Sequence, residues 1–276
     1  MLKVALTHDI DRTKKTYQYF THSLRSALKL NINSSIYHLR SVFLKDVYWN
    51  FDEIIKIENS YNIKSTFFLL NESIPFELFN YKNWSLSLGR YNILEKRIVE
   101  IIKWLDTNGW EIGVHGSYNS FKDIELLKKE KLVLECILGH QIIGIRQHHL
   151  NLNENTWENQ YLAGFKYDSS FGFNERIGFK DNRFAPFNPL NNEFSVIPQV
   201  IMDYPFMVSK NKWDLLDEII ELTEQKDAIL VINWHNDKFN ENEYPGFKTA
   251  YIKIIEKLKS KNAEFYKLGD YYKNCL

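Results

Sequence analysis

The stretch "ALTHDIDRT", Ala5 to Thr13, places a histidine and two aspartates at the end of what reads as the first strand of the chain. In an extended backbone, residues two apart share a face. Ala5, Thr7 and Asp9 therefore lie on one side, and Asp11 follows them if the extended trace continues. His8 and Ile10 point to the other side. An aspartate at a strand end is commonly a turn residue or a helix cap. Whether this pair is more than that depends on what stands at the ends of the other strands.

Short runs rich in β-branched and aromatic residues recur at about residues 3–7, 64–70, 111–115, 142–148, 165–168, 194–202, 228–235 and 264–268. Between most of them lie amphipathic segments such as "WNFDEIIKIENSYN" and "NILEKRIVEIIKWLDTNG". Ser120 with Asp123 three residues on reads as a capping box, and Gly109 and Gly139 fall just past the last turns of their helices. Strand and helix alternate without a glycine-serine linker. That predicts one α/β domain over residues 1–276, a distorted (β/α) barrel of about seven parallel strands. Asn71–Gly89 and Gly172–Asn192 read as loops over a site.

In such a barrel the chemistry sits at the C-terminal ends of the strands. There the sequence places Asp9 and Asp11, then His115, then Arg146, His148 and His149, then Asp168, Asp203 and His235. Parity sets Arg146 and His148 on one face and His149 on the other, so His148 is the better candidate. Two carboxylates as close as Asp9 and Asp11 repel unless a cation stands beside them, and a divalent metal meets that need. Asp11 and His115 offer the oxygen and nitrogen ligands that suit zinc or a similar first-row ion. Asp9 can then serve as general base on water and His235 as general acid. Asp168, Asp203 and Trp234 are candidates for support or substrate contact. His22, His38 and His140 read as surface or packing residues without partners. Trp84, Tyr91, Phe171, Phe173, Phe179, Phe184 and Phe187 could stack on sugar rings, although large aromatics are first of all packing material.

With 35 basic and 35 acidic residues the formal net charge is zero, which gives no footprint of a nucleic-acid binder. No glycine-rich phosphate loop follows a strand. There is no run of eighteen apolar residues, so no membrane span is expected. "MLKVALTHD" has no apolar leader, which gives the expectation of a cytoplasmic protein working near the inner membrane face. Cys136 and Cys275 lie far apart and read as free thiols. The oligomeric state is left open.

The strand-end series resembles the motifs of the polysaccharide deacetylase family, carbohydrate esterases that include chitin, peptidoglycan and chitooligosaccharide deacetylases. "LTHDID" resembles the family's T-F-D-D with one residue inserted, which implies Asp9 as base and Asp11 as metal ligand. "IKSTFFLL" is similar to its second strand, and "GWEIGVHGSYNS" to its metal-histidine motif, which implies His115 as a ligand. "GIRQHHL" resembles R-x-P-[YW]; Arg146 would orient the base, with His148 at the proline position. "LVINWHND" resembles the last motif, which makes His235 the catalytic acid. Where the family has its second metal histidine this chain has Asn119, so either Asn119 or His148 completes the set, or the metal is lost. The variants together also resemble a divergent bacterial branch often found with polysaccharide biosynthesis.

The resemblance implies a metal-dependent hydrolase that removes an N-acetyl or similar group from an amino-sugar or oligosaccharide substrate, with zinc as the first expectation and cobalt, manganese or nickel behind it. Two alternatives stand beside it. One is an inactive deacetylase-like carbohydrate-binding protein, and the other a barrel hydrolase of a different amide or ester.

Overall fold

Lys3–Ile10 forms strand β1, and only Lys3 among its eight residues is not fully buried. A strand covered on both faces reads as an apolar run, as Val4, Ala5 and Leu6 do before the buried polar residues Thr7, His8 and Asp9. The computed structural model describes residues 1–191 and 193–276, and of Lys82 the backbone only; Asn192, the last residue of the second expected loop, lies outside the described residues. The further strands are β2 (Thr66–Leu70), β3 (Glu111–Gly116), β4 (Gly144–Gln147), β5 (Tyr167–Asp168), β6 (Ser195–Val196), β7 (Ile201–Met202), β8 (Ile229–Asn233) and β9 (Glu264–Tyr266). They make one sheet in the order β6-β5-β4-β3-β2-β1-β8-β7, with β9 on β1. All of these ladders are parallel. The expected distorted barrel is therefore present, with nine strands among the described residues where about seven were expected.

The extra strands have local causes. The expected single strand at 194–202 divides at Pro198, which has no N–H to give to a ladder. Before it, Ile197 N–H donates to Asp168 O at 2.8 Å; after it, Val200 N–H donates to Val231 O at 3.0 Å. Residues 195–202 thus bond first to β5 and then to β8, the two edges of the curled sheet. β9 pairs with Lys3–Ala5 only, beside the stretch of β1 that pairs with β2 further along.

Helices α1 (Gln18–Leu28) and α2 (Ile32–Arg40) follow β1, and α3 (Phe51–Ser60) leads into β2. α4 (Tyr81–Ser87) and α5 (Lys96–Thr107) separate β2 from β3, α6 (Ile124–Leu138) precedes β4, and α7 (Thr156–Leu162) precedes β5. α8 (Asp203–Val208) and α9 (Lys212–Gln225) precede β8, α10 (Phe247–Ser260) precedes β9, and α11 (Leu268–Cys275) follows it. The expected capping box is displaced. Asp123, with extended backbone, caps α6 by accepting from Glu125 N and Leu126 N, while Ser120 Oγ donates to Ser117 O in the turn before it.

Parity assigns the two faces of β1 as expected. Val4, Leu6 and Ile10 join the core between sheet and helices, and Ala5 joins Phe68, Tyr167 and Val231 inside the barrel. α11 plugs the end away from the strand C-termini: Gly269 N donates to the half-buried Glu111 at 2.8 Å, and Leu268 N to Thr66 Oγ1 at 3.0 Å. On the outer face, His8 meets a buried carboxylate, Glu58 of α3, at 3.0 Å. Glu58 also accepts from Trp110 Nε1 at 2.5 Å, Ser65 Oγ at 2.9 Å and Tyr251 OH at 2.9 Å. One side chain so ties α3, β1, the entries to β2 and β3, and α10 together.

Removing that carboxylate leaves several buried donors unpaired, which is costlier than losing the bonds alone. Glu58→Ala is expected to lose about 3–5 kcal/mol, seen as a lower urea midpoint at unchanged slope. Glu58→Gln, which keeps the shape, should lose less. An unchanged midpoint for the alanine variant would show that the hub is dispensable.

Candidate active site

Arg146 comes from β4, has no exposed surface, and reaches across the barrel to β1. Its Nη1 donates to Thr7 Oγ1 at 2.7 Å and to Asp9 Oδ1 at 3.0 Å, its Nε to Ser169 O at 2.9 Å, and its Nη2 to Ser169 Oγ at 3.0 Å. Asn233 of β8 donates to the other oxygen of Asp9 at 2.8 Å. Burial pushes the Asp9 carboxyl up, yet the Arg146 guanidinium and the neighbouring His115 hold it below its ordinary value. Asp9 is thus a buried carboxylate kept ionised.

Beside it stand three side chains from different strand ends. Asp11 Oδ1 lies 3.3 Å from His115 Nε2, and Asp11 Oδ2 lies 3.6 Å from His148 Nε2. The three ligand atoms all fall within 4.8 Å of one another. His115 Nδ1 sits 2.8 Å from the Arg146 carbonyl, which accepts only from an N–H. That bond fixes the proton on Nδ1 and turns the Nε2 lone pair toward Asp11. Asp11 Oδ1 is buried with no hydrogen-bond partner among the described residues. One carboxylate oxygen and two imidazole nitrogens, one of them oriented by an outer bond, fit a divalent cation. Glu72 Oε2 stands 3.7 Å from His148 Nδ1, in the place of the matching outer partner, and is fixed by Tyr118 N–H at 3.0 Å.

On the opposite rim His235 follows β8. Asp203 Oδ2 accepts both its backbone N–H at 2.6 Å and its Nδ1 at 2.7 Å. Burial pulls the imidazole pKa down, but the Asp203 charge and hydrogen bond outweigh it and raise it to about 10. His235 is therefore an imidazolium at neutral pH. Asp9, Asp11, His115, His148 and His235 line one cleft, along with Gln147 and Met202. A second hollow shares Asp11, Met202 and His235 and continues toward Gln18, His22 and Tyr48.

The structure corrects several expectations. Asn119 is exposed and stands outside the three-residue group. Trp234 lies on the far side of β8, packed against Phe206 and Tyr251 in the core, because it alternates with Asn233 and His235. Asp168, a candidate for support or substrate contact, stands behind the cleft and not in its lining. It accepts from Gln160 and Ser170 and so braces the turn whose Ser169 holds Arg146. His22, His38 and His140 do have partners: His22 Nδ1 lies 2.9 Å from Glu243, and His140 Nε2 3.0 Å from Asp106. His22, His38 and Glu243 also meet the distance condition for a metal group. There, however, the Lys15 ammonium already fills the space, 2.8 Å from His38 Nδ1 and 2.7 Å from Glu243 Oε2. Tyr91 is a buried strut that donates to Ile10 O and accepts from Leu70 N–H, not a stacking platform.

Three residues escaped the sequence reading. Asn233 shares its face with His235, so the parity that rejects Trp234 would have found it. Glu72 follows the end of β2, and that strand-end position is the signal that marks it. Arg90, whose Nη1 donates to Asp11 O at 3.0 Å, comes from a loop with no pattern to mark it.

Solved structures share this fold. A polysaccharide deacetylase assigned in Pseudomonas aeruginosa PAO1 is 13% identical, with 99% of this chain and 90% of that one covered at a TM-score of 0.62. PuuE allantoinase is 15% identical, with 99% and 89% covered at 0.60. A protein assigned as a polysaccharide deacetylase from Mycobacterium smegmatis is also 15% identical, with 99% and 89% covered at 0.59. No protein-family model matches the chain, and no curated protein matches it in sequence.

Metal binding separates the candidate ligands. His148→Ala is expected to weaken zinc or cobalt affinity by more than about a hundredfold and Glu72→Gln by roughly tenfold, while Asn119→Ala matches the wild type in the same titration. Loss of binding in the Asn119 variant alone would reverse the choice of third ligand.

Proposed function

We propose that the chain is a metal-dependent amide hydrolase that removes an N-acetyl or similar acyl group from an amino-sugar-containing saccharide. The observation that carries this reading is the juxtaposition of an ionised Asp9, a three-donor cluster of Asp11, His115 and His148, and a protonated His235 around one cleft. A divalent cation held by the three donors would supply Lewis acidity toward the acyl oxygen. Zinc suits one carboxylate and two imidazoles best, with cobalt, manganese or nickel as substitutes.

The chain's own residues do the rest. Asp9 takes the proton of the attacking water, and Arg146 and Asn233 keep its oxygens in place. Arg146 cannot lose its charge, so it stays a fixed counterion as Asp9 becomes neutral. His235 gives its proton to the leaving nitrogen as the carbon–nitrogen bond breaks. Asp203 fixes the tautomer so that Nε2–H is the proton available.

The fold is shared by structures described as polysaccharide deacetylases and by one described as an allantoinase, so it does not choose the amide. Acetate release from a panel of N-acetylated sugars tests the choice, with a cyclic amide as the competing substrate. Elemental analysis of protein purified without a histidine tag tests the metal.

Two outcomes follow for the assignments. Asp9→Asn should lower turnover by about 10² to 10⁴ and leave the metal content unchanged; a variant that keeps its rate would remove Asp9 from the role of base. A general acid must be protonated, so activity is lost as pH rises through the His235 pKa. Asp203→Asn removes the charge that raises this pKa, and the alkaline limb of kcat/KM should move to lower pH by at least about one unit. An unmoved limb would assign it to another group.

A further inference from the structure

Surface helices normally turn their apolar stripe inward; α1 and α2 do the reverse. Hydroxyls face one another between them: Ser23 Oγ lies 2.9 Å from Ser35 Oγ, and Ser26 Oγ lies 3.0 Å from Ser34 Oγ. Outward on α1, spaced four residues apart, stand Phe20, Leu24 and Leu28, exposed to 66%, 64% and 77%. α2 turns Ile32, Ile36 and Leu39 outward in the same way, and Phe43 in the turn after it is 88% exposed.

The charge of this region is as uneven as its polarity. No acidic residue occurs between Asp11 and Asp46, although the whole chain is neutral. Arg25, Lys29, Arg40 and Lys45 are exposed next to the apolar positions. The pair of helices leaves from the C-terminal end of β1, the same end as the candidate site, and its Gln18 and His22 line the hollow that adjoins His235. At 11 and 9 residues neither helix is long enough to cross a bilayer.

We propose that the α1–α2 hairpin docks the protein on an anionic lipid bilayer, with the mouth of the barrel held at the lipid surface. Leucine, isoleucine and phenylalanine side chains enter the boundary of headgroups and acyl chains, and the flanking arginines and lysines meet the negative headgroups. A second copy of the chain fits this face less well. An isologous contact would set one basic patch against its own copy. The proposal is independent of the chemistry assigned to the cleft.

Flotation of the full chain with phospholipid vesicles tests it. Recovery with vesicles of phosphatidylcholine containing roughly a third phosphatidylglycerol should exceed that with pure phosphatidylcholine by at least about tenfold, and should fall as salt rises. The paired substitutions Leu28→Asp with Phe43→Asp, and Arg25→Glu with Lys29→Glu, should each abolish flotation while leaving the thermal melt and hydrolysis of a water-soluble substrate unchanged. Equal recovery with the two vesicle types, or variants that float like the wild type, would overturn the proposal. So would a wild-type dimer that fails to float and becomes monomeric in the Leu28→Asp, Phe43→Asp variant, which would make the face an interface between copies. If either variant fails to fold, the lipid and salt dependence of the wild type decides.

Discussion

A guanidinium with no solvent-exposed surface is the constraint on which the rest of the site depends. Arg146 is wholly buried, and burial of a charge is tolerable only when its hydrogen bonds and its counter-charge are supplied. Thr7 and Asp9 supply them from β1, Ser169 from the turn after β5, and the Phe68 ring lies 4.6 Å beneath. The same residue serves the neighbouring centre through its main chain, since its carbonyl fixes the tautomer of His115. The proposed base and the candidate ligand His115 are therefore both set by one residue, and Asp9 cannot shift without unpairing a charge in the interior.

The barrel was readable in the sequence because its strands are covered on both faces and its helices keep clean apolar stripes. Two-residue periodicity went further: it placed Asp9 inward and His8 outward, where His8 meets Glu58. Applied at β8 it would have rejected Trp234 and found Asn233; after β4 it failed, because residues 148–150 turn instead of staying extended and His149 lines the cleft beside His148. What stayed hidden depends on distant parts of the chain meeting. The division of the strand at 194–202 is marked by Pro198, but that its halves bond opposite edges of the sheet is a property of closure. Arg90 and Glu243 reach their partners from loops that no local pattern connects to them. Pattern reading also missed His22 and His38, which look solitary in sequence and share one buried carboxylate in space.

Whole-chain composition concealed another feature. A formal charge of zero is an average over a basic, outward-apolar hairpin and a remainder that is acidic by the same amount. Averages of this kind exclude a strongly charged protein, not a strongly charged part of one. The hairpin also departs from helix periodicity in its meaning, since its stripe is regular but faces away from the core.

His148 begins a turn in which His149 and Leu150 both have positive φ, 57° and 52°. Residues with a β-carbon occupy that region at a cost of about 1–3 kcal/mol each, and a leucine there is unusual. Asn174, donating to His149 O at 2.8 Å, and Asn151, donating to Tyr118 O, hold the turn from outside the sheet. Local opening follows the lowest-cost route, so this turn would loosen before β1 to β3 do. On warming, the third donor of the cluster would leave its place while the sheet was still intact, at a temperature at which circular dichroism still reported a folded barrel.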